Sequence, residues 1–212
     1  MLAQLRSRAY LTYAAFFSAL FVFYVSFLAC AAARLAALGD DDGALMSILG
    51  LTLPLGCVFQ AVAGPTIDRA GLRVALSATW LLAVAAAGLA AVPSLPVQVG
   101  AFVAFAAMRA FLFSTMTAHL SATFGFATLG VTIGALILIG GVAGLSQQGF
   151  LAWGLASGSF FAPDFALLAL VIAAGAFPVS LWCAAADSRV APAPHAAAPQ
   201  GALAAAALAR EK

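Results

Sequence analysis

The sequence predicts an all-α membrane protein with six transmembrane helices. Three observations support this prediction: charged residues are few, the chain is strongly apolar, and the uncharged intervals are long. Only 8% of the residues are charged and 65% are hydrophobic, whereas a typical soluble chain is about 25% charged. Arg8 and Arg34 enclose 25 uncharged residues, and Arg109 and Asp164 enclose 54. Since a helix needs about 20 apolar residues to cross a bilayer core, most of this chain is predicted to be solvated by lipid.

Polar and helix-breaking residues divide the apolar sequence into six predicted spans. The predicted bounds are 10–33, 44–63, 74–92, 97–118, 129–150 and 165–184. Together they form a predicted six-helix bundle over residues 10–184. Residues 1–9 form a predicted cytoplasmic N-terminus. The Ala/Pro-rich residues 185–212 form a predicted cytoplasmic tail without stable structure.

The first three spans are bounded by charge and by proline. The first ends before Arg34 and the acidic run 40–42, and the second ends before a charged loop at 64–73. Pro93 ends the third, because proline cannot continue a helix. Inside the second span, Pro54 removes a backbone N–H and predicts a kink.

The last three spans are separated by weaker signals. Glycine and clustered threonine at 123–128 predict the break after the fourth span, and a Gly, Ser and Pro-rich loop is predicted at 154–164. The fifth span carries two GxxxG spacings, 130–134 and 140–144, which predict close helix packing. Pro178 predicts a kink in the sixth.

Basic residues fall mainly on one side of the predicted bundle. Because six is an even number of spans, the chain returns to the side of the membrane on which it starts. Of the basic residues at the span ends and in the loops, only Arg34 falls on the opposite side. The residues on the starting side are Arg6, Arg8, Arg69, Arg73, Arg189, Arg210 and Lys212. Because cytoplasmic loops are enriched in Lys and Arg, both termini are predicted to be cytoplasmic.

Signatures of several other function classes are missing from the sequence. The three cysteines (Cys30, Cys57 and Cys183) have neither CxxC nor metal-ligand spacing. No basic run suggests nucleic acid, and no Ser-His-Asp set, HExxH motif or phosphate loop is visible. We therefore expect no enzyme activity, no cofactor, no metal and no nucleic-acid partner.

The predicted loop between the second and third spans carries a charged motif. Gly64, Asp68, Arg69, Gly71 and Arg73 have the spacing Gly-x3-Asp-Arg-x-Gly-x-Arg. Glycines allow a tight reversal, and an aspartate beside arginines can bond helix ends in one conformation and release them in another. This loop resembles the cytoplasmic signature of the major facilitator superfamily. The resemblance implies that these five residues form a conformational latch.

A second stretch of the sequence resembles one particular family within that superfamily. Arg109-Ala110-Phe111, Ser114 and the segment 126–129 resemble the tenth span and following loop of solute carrier family 43, the large neutral amino acid facilitators. Ala127 stands where that family has glycine, and Gln147-Gln148 lie a few residues further along than its Gln-Gln pair. The matching part of that family is its second half. The resemblance implies one half of a major-facilitator fold and transport by facilitative alternating access. It also implies small organic substrates, with amino acids as the expected class.

Arg109 is the main candidate for substrate binding. A charge near the bilayer centre costs about 2.5–3.5 kcal/mol, and two interpretations stay open. In one, Arg109 meets a substrate carboxylate or a second bundle; in the other, it snorkels to the interface or bonds backbone carbonyls. Under the first interpretation, Tyr13, Gln60 and Ser114 join it in a polar cavity, with Tyr24 on nearly the same helix face as Tyr13.

Two functions follow as hypotheses. The first is transport of small organic solutes, in a lipid bilayer, by a six-helix half that works with a second half or a homodimer mate. Because the chain matches one half only, three interpretations stay open: a fragment or truncated gene product, a half that dimerises, or a derived protein that no longer transports. The alternative is a non-transporting structural membrane subunit of a larger assembly.

Overall fold

The computed structural model describes residues 5–40 and 42–190, with side-chain surroundings described up to residue 184. This part of the chain is helical, without strands. In chain order its helices are α1 (Arg8–Ala37), α2 (Ala44–Thr52), α3 (Gly56–Ala70), α4 (Leu72–Ala90), α5 (Leu95–Phe124), α6 (Leu129–Gly144), α7 (Gln147–Ser157), α8 (Phe161–Ala174) and α9 (Ala176–Val190). Short 3-10 turns occupy Leu53–Leu55 and Phe126–Thr128. Most of the predicted tail lies outside the described residues.

Six helical stretches are long and apolar enough to cross a membrane, which confirms the predicted number. They are Arg8–Ala37, Ala44–Ala70, Leu72–Ala90, Leu95–Phe124, Phe126–Ser157 and Phe161–Ala184. We call them the first to sixth spans. The second, fifth and sixth each contain a break between two helices. Several extend well beyond the predicted bounds, because the sequence signals mark where apolar residues stop rather than where helical hydrogen bonding stops.

Proline accounts for two of the breaks. Pro54 lies in the 3-10 turn that joins α2 to α3, as predicted. The sixth span breaks at Gly175, just before Pro178, because Pro178 has no N–H to donate to the carbonyl of Ala174. At this break the Gly175 N–H bonds the carbonyl of Ile172 at 2.9 Å.

Trp80 of α4 packs into the break in the sixth span. Its indole Nε1 donates to the carbonyl of Val171 at 2.9 Å. That carbonyl would accept from Gly175 in an unbroken helix. A Cβ built on Gly175 would lie 2.5 Å from the Trp80 ring, so only glycine fits here without movement.

Two predicted loops are shorter than predicted, because the helices on either side extend into them and leave Gly71 in one and residues 158–160 in the other. α3 continues through Gly64 to Ala70, and the chain reverses at Gly71 alone, with φ +89°. A single glycine in the left-handed region is sufficient for this turn, so Gly64 has no turn role. Similarly, α7 continues to Ser157, and Asp164 lies in the first turn of α8 rather than in a loop.

Contacts at the two ends of the bundle show that successive spans alternate in direction. The Tyr10 hydroxyl donates to the carbonyl of Thr132 at 3.0 Å. The Tyr10 ring also lies 5.8 Å from that of Phe124. The start of the first span thus lies beside the end of the fourth and the start of the fifth. At the other end, Arg34 of α1 contacts Asp164 of α8.

The first and fourth spans form the buried centre of the bundle. Their apolar windows are 56% and 61% buried, whereas those of the second and fifth spans are each 17% buried. Phe27 and Phe105 stack at 4.2 Å between ring centroids in this centre. The second and fifth spans therefore leave most of their apolar surface to lipid or to another bundle.

One of the two GxxxG spacings packs as predicted. A Cβ on Gly140 would lie 3.1 Å from the Phe17 ring, and one on Gly144 would lie 3.2 Å from Val25, so both glycines bring α6 close to α1. Gly130 and Gly134 have no such neighbour within 4 Å in the described part of the chain. For that pair the packing prediction is wrong within this bundle.

Candidate functional site

A cavity of about 470 Å³ opens beside Arg109. Its walls come from the first, second and fourth spans. They consist of Tyr24, Gly56, Cys57, Gln60, Arg109, Ala110 and Phe113. Gln60 and Cys57 are exposed, so the cavity is open on the face of the bundle that carries the second span.

Arg109 lies halfway along the 30 residues of α5. At 1.5 Å rise per residue it is about 21 Å from Leu95 along the helix axis. This mid-span position argues against the interpretation in which the side chain snorkels to the interface. Among the described residues, the Arg109 guanidinium forms neither an ion pair nor a hydrogen bond to a backbone carbonyl.

The broken second span makes room for this guanidinium. Gly56 begins α3 directly after the Pro54 turn, and a Cβ built on it would lie 3.4 Å from Arg109 Nη2. The guanidinium therefore lies against helix backbone. At position 56, a residue with a larger side chain would occupy the space that the Arg109 guanidinium takes up.

Gln60 and Ser114, two further predicted site residues, are bonded to each other, although only Gln60 is among the residues that line the cavity. Gln60 Nε2 donates to Ser114 Oγ at 2.8 Å. Ser114 Oγ in turn donates to the carbonyl of Ala110 at 2.9 Å. This chain of bonds fixes the Gln60 amide against the fourth span and leaves its Oε1 as an acceptor for a ligand.

Tyr13, the fourth predicted binding residue, lies elsewhere. It is fully buried, stacks on His119 at 4.2 Å between ring centroids, and contacts Phe177 edge-on at 5.6 Å. Tyr24 lines the cavity instead. The two tyrosines share a helix face because they are three turns apart, but this spacing also separates them by about 16 Å along the axis.

The Tyr24 ring is held in place by two phenylalanines of α5. It stacks on Phe105 with rings 5.6 Å apart and 6° from parallel. The ring of Phe113 lies at 89° to it, with centroids 6.0 Å apart. Tyr24 and Phe113 thus give the cavity two perpendicular aromatic walls.

The predicted latch is not engaged in this structure. Asp68, Arg69 and Arg73 are exposed. Within the described ranges none of the three forms an ion pair. Arg69 lies in the last turn of α3, where a positive charge complements the helix dipole. The geometry leaves these charges available to a partner surface.

A buried ion pair was not predicted. Arg34 Nη1 and Asp164 Oδ1 are 3.2 Å apart, and the two side chains are only 3% and 7% exposed. Arg34 lies in the last turn of α1 and Asp164 in the first turn of α8, so each charge also complements its helix dipole. The Phe27 ring packs 4.6 Å from Arg34 Cζ. One sequence feature could have predicted this ion pair: Arg34 and Asp164 are opposite charges at the ends of two spans, on the same side of the predicted bundle.

No group of three or more His, Cys, Asp or Glu side chains in the described part of the chain could hold a metal ion. The arrangement beside Arg109 is instead a cationic, partly aromatic cavity suited to binding.

The fold defines a class: an all-helical chain whose six long apolar helices fit an integral, multi-pass membrane protein. No protein-family model, no curated protein and no solved structure matches the chain.

Proposed function

We propose that this chain forms one six-helix half of an alternating-access transporter of small organic solutes, with amino acids the first class to test. The observation that carries the proposal is Arg109, unpaired among the described residues, midway along an apolar helix and beside a 470 Å³ cavity. A charge at this depth costs about 2.5–3.5 kcal/mol on insertion. A negatively charged group of a ligand would offset that cost.

The open side of the cavity supports a second bundle as a partner. Transporters of this kind bind their substrate between two helical bundles near the bilayer midplane. Here the walls come from one bundle, and Gln60 and Cys57 are exposed at its surface. A second six-helix half, or a second copy of this chain, would supply the opposite wall and shield Gln60 from lipid.

The charged segment near Gly71 supports an orientation and a latch. Arg69 and Arg73 lie at the same end of the bundle as the start of the first span, and Lys and Arg favour the cytoplasmic side. We therefore place both termini in the cytoplasm. Asp68, Arg69 and Arg73, exposed in this structure, would bond the partner bundle in one state of the transport cycle.

Transport is tested with the protein as it exists in its membrane, together with any polypeptide that accompanies it. The purified assembly is reconstituted into liposomes, and uptake of a labelled amino acid mixture is measured against protein-free liposomes. We expect saturable uptake, and at least a tenfold reduction in Gln60→Leu, because this change removes polar groups from the cavity wall. Thr66→Val, a change at a half-buried residue of the same helix that does not line the cavity, is the matched control and should retain uptake.

The structural-subunit alternative predicts a different outcome. A stable assembly that shows no uptake of any amino acid, together with identical behaviour of wild type and Gln60→Leu, would contradict the transport proposal and favour that alternative.

A further inference from the structure

The charge of the cavity limits what it can bind. Arg109 is the one charged residue among those that line it, and no carboxylate does. Asp164 is paired with Arg34 in the last turn of the first span and does not line the cavity. A ligand ammonium group would therefore meet a positive field here without a counter-charge, whereas a carboxylate would meet a free guanidinium.

We propose that this cavity binds small organic monoanions, a carboxylate on an aromatic body, in preference to zwitterions or cations. The proposal rests on the proposed function, since it takes the Arg109 cavity as the substrate path. It narrows that function by ranking its substrates: the ammonium group of an amino acid finds no counter-charge among the lining residues, so an amino acid should bind, but more weakly than a monoanion.

The guanidinium suits a carboxylate in its geometry. Arginine presents parallel N–H donors that match the two oxygens of a carboxylate. Within the described part of the chain, Arg109 donates none of these to a protein acceptor, in contrast to Arg34. Gly56, without a side chain, leaves room for Nη2 beside α3. The guanidinium donors are therefore free to bond a ligand carboxylate.

The aromatic walls suit a flat apolar body next to that carboxylate. Tyr24 and Phe113 are in edge-to-face contact, perpendicular to each other, and a ligand ring lying in the corner that they form stacks on one and contacts the other edge-on. Stacking on Phe105 fixes the Tyr24 ring beforehand. The volume of about 470 Å³ lies within the range of about 300–1,000 Å³ typical of small-molecule sites.

Four probes with the same aromatic body and different charge test this inference: phenylacetate, phenylalanine, phenethylamine and 2-phenylethanol. Binding to the detergent-solubilised native assembly is measured by calorimetry at low ionic strength. We expect phenylacetate to bind at least about tenfold more tightly than phenylalanine, and the amine to bind most weakly. Arg109→Leu should abolish the preference for phenylacetate, and Arg8→Leu, which removes an exposed arginine at the start of α1 and outside the cavity, should leave it unchanged.

The outcomes separate this inference from the proposed function. If phenylalanine binds as tightly as phenylacetate, the monoanion preference is wrong and amino acid transport stands. If none of the four probes binds, both proposals fail at this cavity. Should Arg109→Leu not accumulate in membranes, Arg109→Gln replaces it, and retention of the phenylacetate preference in Arg109→Gln would overturn the inference.

Discussion

Asp164→Asn is expected to lower the free energy of unfolding by about 3–5 kcal/mol. The substitution leaves Arg34 buried, at 3% exposure, without its counter-charge. The penalty of an unpaired buried cation exceeds the worth of the pair itself, which is why removal of one partner is so costly. Equilibrium unfolding in mixed detergent and SDS micelles measures the change. Asp68→Asn, at an exposed carboxylate, is the matched control and should stay within about 0.5 kcal/mol of wild type.

The double variant Arg34→Met with Asp164→Leu should restore most of this stability. Well-packed apolar residues often replace a buried ion pair without loss, because neither charge then has to be desolvated. If Asp164→Asn costs no more than Asp68→Asn, the first and sixth spans are not joined by this ion pair.

Arg109→Leu is expected to abolish binding and yet not to destabilise the protein. In the part of the chain that the structure describes, Arg109 has no ion-pair partner that the substitution would leave without its counter-charge. Removing its charge from the middle of a span relieves a cost of about 2.5–3.5 kcal/mol, so stability should stay constant or rise by up to that amount. The same unfolding titration, combined with phenylacetate binding, measures both effects on one sample.

Arg34→Leu is the matched comparison, since it makes the same substitution at an arginine that is buried and has an ion-pair partner. It leaves Asp164 buried and unpaired, and it should therefore lower stability while Arg109→Leu does not. Equal destabilisation by the two variants would mean that Arg109 has a structural partner, and this would remove the main support for a binding role.

The number of spans and part of the cavity could be predicted because both depend on local sequence. An apolar run of sufficient length specifies a span, and a charge within such a run, Arg109, is conspicuous whatever its neighbours. Gln60 and Ser114 were selected because they are polar residues on apolar spans; the two are bonded at 2.8 Å, and Gln60 lines the cavity.

The remaining features depend on how the spans pack. Helical periodicity places Tyr13 and Tyr24 on one face, but only the packing of the first, second and fourth spans around the cavity decides that Tyr24, and not Tyr13, lines it. The pairing of Arg34 with Asp164 joins residues separated by 130 positions. Such a contact follows from the arrangement of the first and sixth spans, which apolar lengths do not specify. Gly64 was assigned to a turn because glycine permits a reversal without requiring one.

Water access to Cys57 tests the central claim most directly, because Cys57 lines the cavity while Cys30 is buried. Exposed Cys183 is replaced by serine, and the protein in liposomes is treated with a charged, membrane-impermeant thiosulfonate. We predict rapid modification of Cys57, and slower modification when phenylacetate is present. If Cys57 reacts only with lipid-soluble maleimides, and phenylacetate leaves its rate unchanged, then lipid covers this face and the Arg109 cavity is not a binding site.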